Sequence, residues 1–378
     1  MSEMTRRERI LAASHKQMAD RLPFFHNWRH TDMGSTDREC RNRGMGLSWA
    51  RPSYTMTMHG VEMVETQEVT SGVQTIRRTY NTPVGSISLV EKRATGVEQW
   101  KLLRSWGDVT PWQTEHAVKG PEDYKVLKYM YENLEFQPDY APLEQAKEWL
   151  GDDGVVEDWV LHSGLQLLMI DWIGSDGGRF FVHHARYPEL VEELYETISK
   201  SYEPLWEIAA QSPADVFLLG ENIDDILVNP RLFKKYFMPE WEKCTKVMHE
   251  KGKLVAVHCD GRMDALKELV PETSVDIIEA LHAPPMGDLD IGEALRLCPD
   301  KVIWTGFPGS VYALGPQATK RQALDLLKGV GTGERLAVEM STENLVSNEN
   351  LLMLTSVLEN AELPLNPDKI EQIERALG

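Results

Sequence analysis

Groups able to do chemistry stand at the ends of short apolar runs in the second half of the chain. Glu221 ends DVFLLGE, followed by Asn222, Asp224 and Asp225. His258, Cys259 and Asp260 end KLVAVHCDG. Glu279 and His282 lie in VDIIEALH, and Glu339 lies in RLAVEMS, with Glu343 just beyond. Such a mixture of imidazole, thiol and carboxylate can do one of two things. It can bind a divalent metal such as zinc, which takes three protein ligands and keeps a fourth position open for catalysis. It can also work without metal as general acid and base.

The elements carrying these groups explain why they should meet. The apolar runs at 215–221, 253–261, 275–282, 301–309 and 335–341 alternate with helical stretches at 231–252, 263–270, 291–299, 319–330 and 349–360. Repeated strand–helix units make a parallel sheet, and nearly continuous apolar strands suit a sheet covered on both faces. No Gly-rich nucleotide fingerprint follows an early strand, which favours a closed (β/α)8 barrel over an open doubly wound sheet. In a barrel the C-terminal strand ends converge on one mouth.

The first part of the chain reads differently. Thr5 is placed to cap a helix running to about Met18. Residues 20–58 are dense in aromatic and sulfur side chains, and residues 61–94 alternate with period 2, broken at Ser71-Gly72 and Asn81-Thr82-Pro83. That alternation predicts antiparallel hairpins. The expected division is therefore residues 1–140 as an N-terminal α/β elaboration capping the barrel and residues 141–378 as the barrel. Trp28, Tyr54 and Met56 from the elaboration, with Trp172 and Phe307, are the expected lining of a largely apolar substrate pocket. The adjacent pair His183-His184 precedes a helix and is a poor chelating unit, because neighbouring residues point apart.

Composition narrows the functions. The formal net charge is -19 over 378 residues, which argues against nucleic acid or an anionic membrane as partner. Four cysteines without CxxC pairing make no disulfide framework. No apolar stretch reaches the length of a signal peptide core or a membrane span, so a cytoplasmic location is expected.

The order of several segments resembles the uroporphyrinogen decarboxylase superfamily. They are the opening TRRERILAASHKQMADRLP, then YPELVEELYE, GENIDDILVNPRLFKKYFMPEWEKC, VAVHCDG and VIWTGFPGS. The resemblance implies a barrel enzyme of one of two kinds. True decarboxylases hold a polyanionic porphyrinogen with arginines, and here the comparable FFHNWRHTDMGS keeps only Arg29. The other branch comprises corrinoid-dependent methyltransferases, in which zinc at the barrel mouth serves methyl transfer to or from cobalt on a partner protein. Thiol-activating members carry a later cysteine that is absent here. The resemblance thus points to methyl transfer from a small methylated substrate, such as a methoxylated aromatic in an O-demethylase, to cob(I)alamin on a corrinoid protein. The expected zinc ligands are Glu221, His258 and Glu279, with Cys259, Asp260 and Glu339 as alternates. Asp260 or Glu343 is the expected acid. A cofactor-free decarboxylase and a non-catalytic ligand-binding barrel are the competing classes.

Overall fold

The computed structural model describes residues 3–31, 34–94, 112–160, 162–340 and 346–378. The chain divides into two compact units, one of residues 1–53, 140–161 and 210–378, the other of residues 54–139 and 162–209.

The first unit is a closed barrel of eight strands: β1 (Phe24–Asn27), β2 (Gly46–Arg51), β3 (Gly154–Val160), β4 (Val216–Leu219), β5 (Leu254–His258), β6 (Ile277–His282), β7 (Val302–Gly306) and β8 (Leu336–Glu339). Every neighbouring pair is parallel, and β8 closes on β1 through Phe24↔Val338 and Phe25↔Glu339. The expected fold class is therefore present. Its boundary differs from the expected one, because β1 and β2 come from the segment assigned to the elaboration. Among the helices, 263–270 is also different: only short 3-10 turns form there, at Asp264–Leu266 and Val270–Glu272.

Alternate residues of a strand face one side. In this barrel Phe25, Val155, Val216, Leu218, Ala256, Ile277, Val302, Trp304 and Ala337 form one buried apolar cluster with Ile10 of the N-terminal helix. Phe25 meets Trp304 edge to face at 5.1 Å. The helix Arg6–Ser14 is held by a capping box in which the Thr5 side chain accepts from the Glu8 N–H and Glu8 answers to Thr5. Arg7 ties it to the barrel, donating to the Gly154 carbonyl at 2.9 Å and to Asp215 at 2.7 Å.

On the outer face of β3, Asp158 is fully buried. Its Oδ1 accepts from the Ser53 N–H at 3.0 Å. Burial pushes its carboxyl up from the ordinary 3.8 to about 6, although hydrogen bonds from Ser53 and Ser212 pull the other way. The group is thus easier to protonate folded than unfolded. Its contribution to stability is full below the unfolded value and is lost as pH rises through about 6. Asp158→Asn keeps the acceptor for Ser53 without the charge. It should therefore raise stability at neutral pH by up to about 3 kcal/mol and remove stability loss between about pH 4 and pH 6. Denaturant melts at two pH values check this.

In the second unit, strands Glu62–Thr70, Val73–Thr82, Gly85–Ala94 and Trp112–Glu115 form an antiparallel sheet, and Tyr54–Met58 pairs with Leu134–Pro138. The hairpins expected over 61–94 are present. Ser71 and Gly72, with φ of 51° and 75°, join Thr70 to Val73, as a tight turn of the type that matches strand twist requires. The helix expected from Pro188 spans Pro188–Ala210. Among the described residues no helix is long and apolar enough to cross a membrane.

Candidate active site

The register of the barrel decides which strand-end groups face inward, since residues paired in register on parallel strands share a face. Trp304, in the interior cluster, pairs with Glu279, and Glu279 pairs with His258. Val216, also interior, pairs with Glu157. Phe25 pairs with Glu339. Glu157, His258, Glu279 and Glu339 therefore project into the barrel on the C-terminal side of its apolar layer, the end where barrels carry their active sites.

There they make a connected chain. His258 Nδ1 is hydrogen-bonded to Glu279 Oε2. His258 Nε2 lies 3.5 Å from Asp260 Oδ2. Glu279 shares a hydrogen bond with Glu339 on its other side. Burial alone would strip the proton from His258, but the anions of Glu279 and Asp260 outweigh it and hold the imidazole well above its ordinary value. Burial pushes Glu339 well up, and the charge of Glu279 beside it adds to this, with that of Glu157 further off. Glu279 is held low: burial opposes its ionisation, and the charge and hydrogen bond of His258 win. These directions favour a proton on Glu339 and on His258, and negative charge on Glu279 and Asp260.

The loops are braced for this. The Cys259 N–H donates to the Glu279 carbonyl at 2.9 Å, fixing the turn that carries Asp260. Asp224 Oδ2 accepts from the Arg262 N–H at 3.0 Å, and Asp225 Oδ2 from the Ala265 N–H at 2.9 Å. The acids after β4 therefore serve the backbone of the next loop.

The expected site residues distribute unevenly. His258 and Glu279 do meet, as a hydrogen-bonded pair. Glu221 is fully buried, yet it lies out of step with the inward positions of β4, and its charge is felt by the thiols of Cys244 and Cys259. Cys244 lies on the helix Met238–His249. Cys259 is buried with its thiol pushed well up by desolvation, so it is a neutral thiol. Among the described residues no three of His, Cys, Asp and Glu are placed to hold a metal ion. Among the described residues the expected ligands do not come together as a set of three. Asp260, expected as an acid, is held low: burial opposes ionisation, and the hydrogen bond and charge of His258 outweigh it. The proton sits on His258 instead. Glu343 lies outside the described residues.

The residues expected to line the pocket make definite packing contacts. Trp28 stacks on Trp49 at 4.6 Å, and Trp49 stacks on Trp149 at 5.5 Å. Trp149 belongs to the helix Ala141–Leu150, so this stack packs helix on barrel. Phe307 extends the β7–β8 ladder through its N–H to the Glu339 carbonyl at 2.8 Å, and its ring packs on Tyr312 at 5.0 Å. Tyr54, Met56 and Trp172 belong to the second unit. Tyr54 meets Phe136 edge to face at 5.3 Å, Met56 is half exposed, and Trp172 Nε1 donates to the Tyr131 hydroxyl at 2.8 Å.

No protein-family model matches the sequence, and no curated protein is similar to it at a significant level. Solved structures do match. A methyltransferase from Methanosarcina mazei is similar over 94% of this chain and 98% of that chain, at 12% identity and a TM-score of 0.53. A GH5-4 broad specificity endoglucanase from an uncultured bacterium is similar over 68% of this chain and 87% of that chain, at 11% identity and a TM-score of 0.38, which is too low to bear on the argument. At such identity the first likeness is one of fold, and it extends over nearly the whole length of both chains.

Proposed function

We propose that the chain is a methyltransferase that moves a methyl group from a small methylated substrate, a methoxylated aromatic being the leading class, to cob(I)alamin carried by a partner corrinoid protein. The observation that carries this reading is the ring of His258, held between the carboxylates of Glu279 and Asp260 at the C-terminal end of the barrel. The fold likeness to a protein described as a methyltransferase supports the same class.

The chemistry needs an acid more than a base. Cob(I)alamin supplies the electron pair that takes the methyl carbon. The methyl–oxygen bond breaks with its pair going to oxygen, and an aryl ether would then leave as a phenoxide. His258 Nε2–H can neutralise that oxygen as the charge develops. Asp260, 3.5 Å away, orients this N–H at a distance too long for a strong bond, so the proton remains deliverable. Glu279 holds the ring through Nδ1, and Nε2 regains its proton from water once the demethylated product has left.

A donor panel tests the proposal. The purified chain is mixed with reduced cobalamin and methoxylated aromatics, methylamines or methyl thioethers, and the demethylated product is followed by chromatography. Turnover with a methoxylated aromatic is expected. Release of CO₂ from carboxylated pyrroles with no demethylation would put the chain with the decarboxylases. Ligand-induced stabilisation without turnover of either kind would make it a binding barrel.

A further inference from the structure

The antiparallel sheet of the second unit ends on an unguarded edge. The strand Glu62–Thr70 pairs on one side with Val73–Thr82, without a bulge, from Glu62↔Asn81 to Thr70↔Val73. Among the described residues no strand pairs with its other side. All nine of its residues are exposed, Met63 at 52% and Val69 at 62%. Long flat edges of this kind are templates for another strand, and proteins blunt them with lysine, proline or a bulge. EMVETQEVT has none of these. Its charges are Glu62, Glu65 and Glu68.

Which backbone groups face outward follows from the turn. Ser71 and Gly72 form a two-residue turn, so Thr70 and Val73 exchange hydrogen bonds. Every second residue back along the strand does the same: Glu68, Thr66, Val64 and Glu62. The N–H and C=O groups of Met63, Glu65, Gln67 and Val69 therefore point to the open side. A second copy of the strand, running antiparallel about a twofold axis through Thr66, meets them with Val69, Gln67, Glu65 and Met63. Each pair then exchanges both hydrogen bonds, about eight in all. The side chains agree. Met63 faces Val69, Val64 faces Glu68, Glu65 faces Gln67, Glu62 faces Thr70 and Thr66 faces itself, so no glutamate meets a glutamate. Moving the axis to Glu65 sets Glu65 against Glu65 and Glu62 against Glu68, and like charges directly opposite are destabilising. Moving it to Gln67 leaves Glu62 and Met63 unpaired. Glu65, the charge nearest the axis, is already met by Arg78 Nε at 2.8 Å.

We infer that the chain forms a homodimer in which the strands Glu62–Thr70 of two copies pair antiparallel about Thr66, making one sheet that runs across both chains. A surface complementary to itself closes as a twofold dimer requires. The glutamates then set the alignment, since they permit this one and oppose the one slipped onto Glu65. A single strand pair is a small interface, and each copy carries a net charge of -19. The dimer is therefore concentration-dependent, and it strengthens as salt screens that repulsion. The inference does not depend on the reaction.

Sedimentation velocity over a concentration series, at moderate salt, should show monomer passing to dimer. Gln67→Pro removes an outward N–H without removing a hydrogen bond to Val73–Thr82, and it should weaken the dimer at least ~10-fold. Crosslinking reads the alignment. Cys40, Cys244, Cys259 and Cys298 are buried, so a thiol introduced on the strand is the one open to oxidation. Thr66→Cys sets two thiols opposite each other in a pair whose Cα atoms stand about 4.5 Å apart, within disulfide reach. Mild oxidation should give a covalent dimer. Val64→Cys is also exposed, but its two copies stand about 14 Å apart along the strand pair, and little crosslink is expected. Circular dichroism keeps a misfolded variant from being counted. Monomer at every concentration would overturn the inference. So would a dimer that Gln67→Pro leaves intact, or one in which Val64→Cys crosslinks as readily as Thr66→Cys.

Discussion

Replacing His258 with alanine should slow methyl transfer by roughly 10²–10⁴-fold, the range that a positioned general acid contributes. The loss should appear in kcat more than in KM, because the proton matters as the oxygen leaves and not when the ether binds. The fold should survive. Glu279, relieved of its cation, can take up a proton beside Glu339 instead of remaining an isolated buried anion. The apolar layer of Phe25, Ile277 and Trp304 does not include His258. Rates measured alongside circular dichroism check both halves. A folded His258→Ala variant with full transfer rate would show that His258 is not the acid.

Glu279→Gln should move the pH profile without abolishing the reaction. His258 owes its raised pKa first to the charge of Glu279. The active form is the protonated one, so activity is present below the pKa of His258 and lost as pH rises through it. Glutamine can still accept at Nδ1, but it carries no charge. The pKa should therefore fall back toward the ordinary histidine value of about 6.5, carrying the alkaline limb down with it. Near pH 8 the variant should be ~10-fold or more slower than wild type, and near pH 6 the two should differ little. A profile whose alkaline limb stays in place would separate Glu279 from the proton on His258.

Both expectations turn on residues visible in the sequence as polar ends of apolar runs. The later barrel was legible because VFLL, LVAVH, IIEALH, VIWTG and LAVE are compact apolar segments with helices between them. The first three strands were hidden. FFHN and GLSWAR are short and carry His, Ser and Trp among their apolar residues, and GVVEDWV contains two buried acids, Glu157 and Asp158. The second unit, inserted between β2 and β3 and again between β3 and β4, broke the βα rhythm that would have revealed them. Glu157 was missed with its strand.

Other misplacements were of direction. Glu221 ends an apolar run as His258 does, but it follows β4, which stops at Leu219, at an odd step from the interior Leu218. Counting alternate residues back from each strand end would have found this. Counting fails at His282, because β6 slips against β7 at Ala280 and no glycine or asparagine announces it. The pairing of His258 with Glu279 follows from two adjacent strands in register, and only the assembled barrel supplies that register.

The central claim is that the methyl group passes intact from an ether oxygen to cobalt at this barrel mouth. It is tested most directly with a donor whose methoxy group is deuterated, mixed with reduced cobalamin and the wild-type chain, followed by mass spectrometry of the corrinoid and the aromatic product. The expected result is a cobalamin carrying the fully deuterated methyl, in amount equal to the phenol released, with both products reduced together in His258→Ala. Phenol appearing without labelled methyl on cobalt, or labelled cobalamin forming equally fast without the protein, would contradict it.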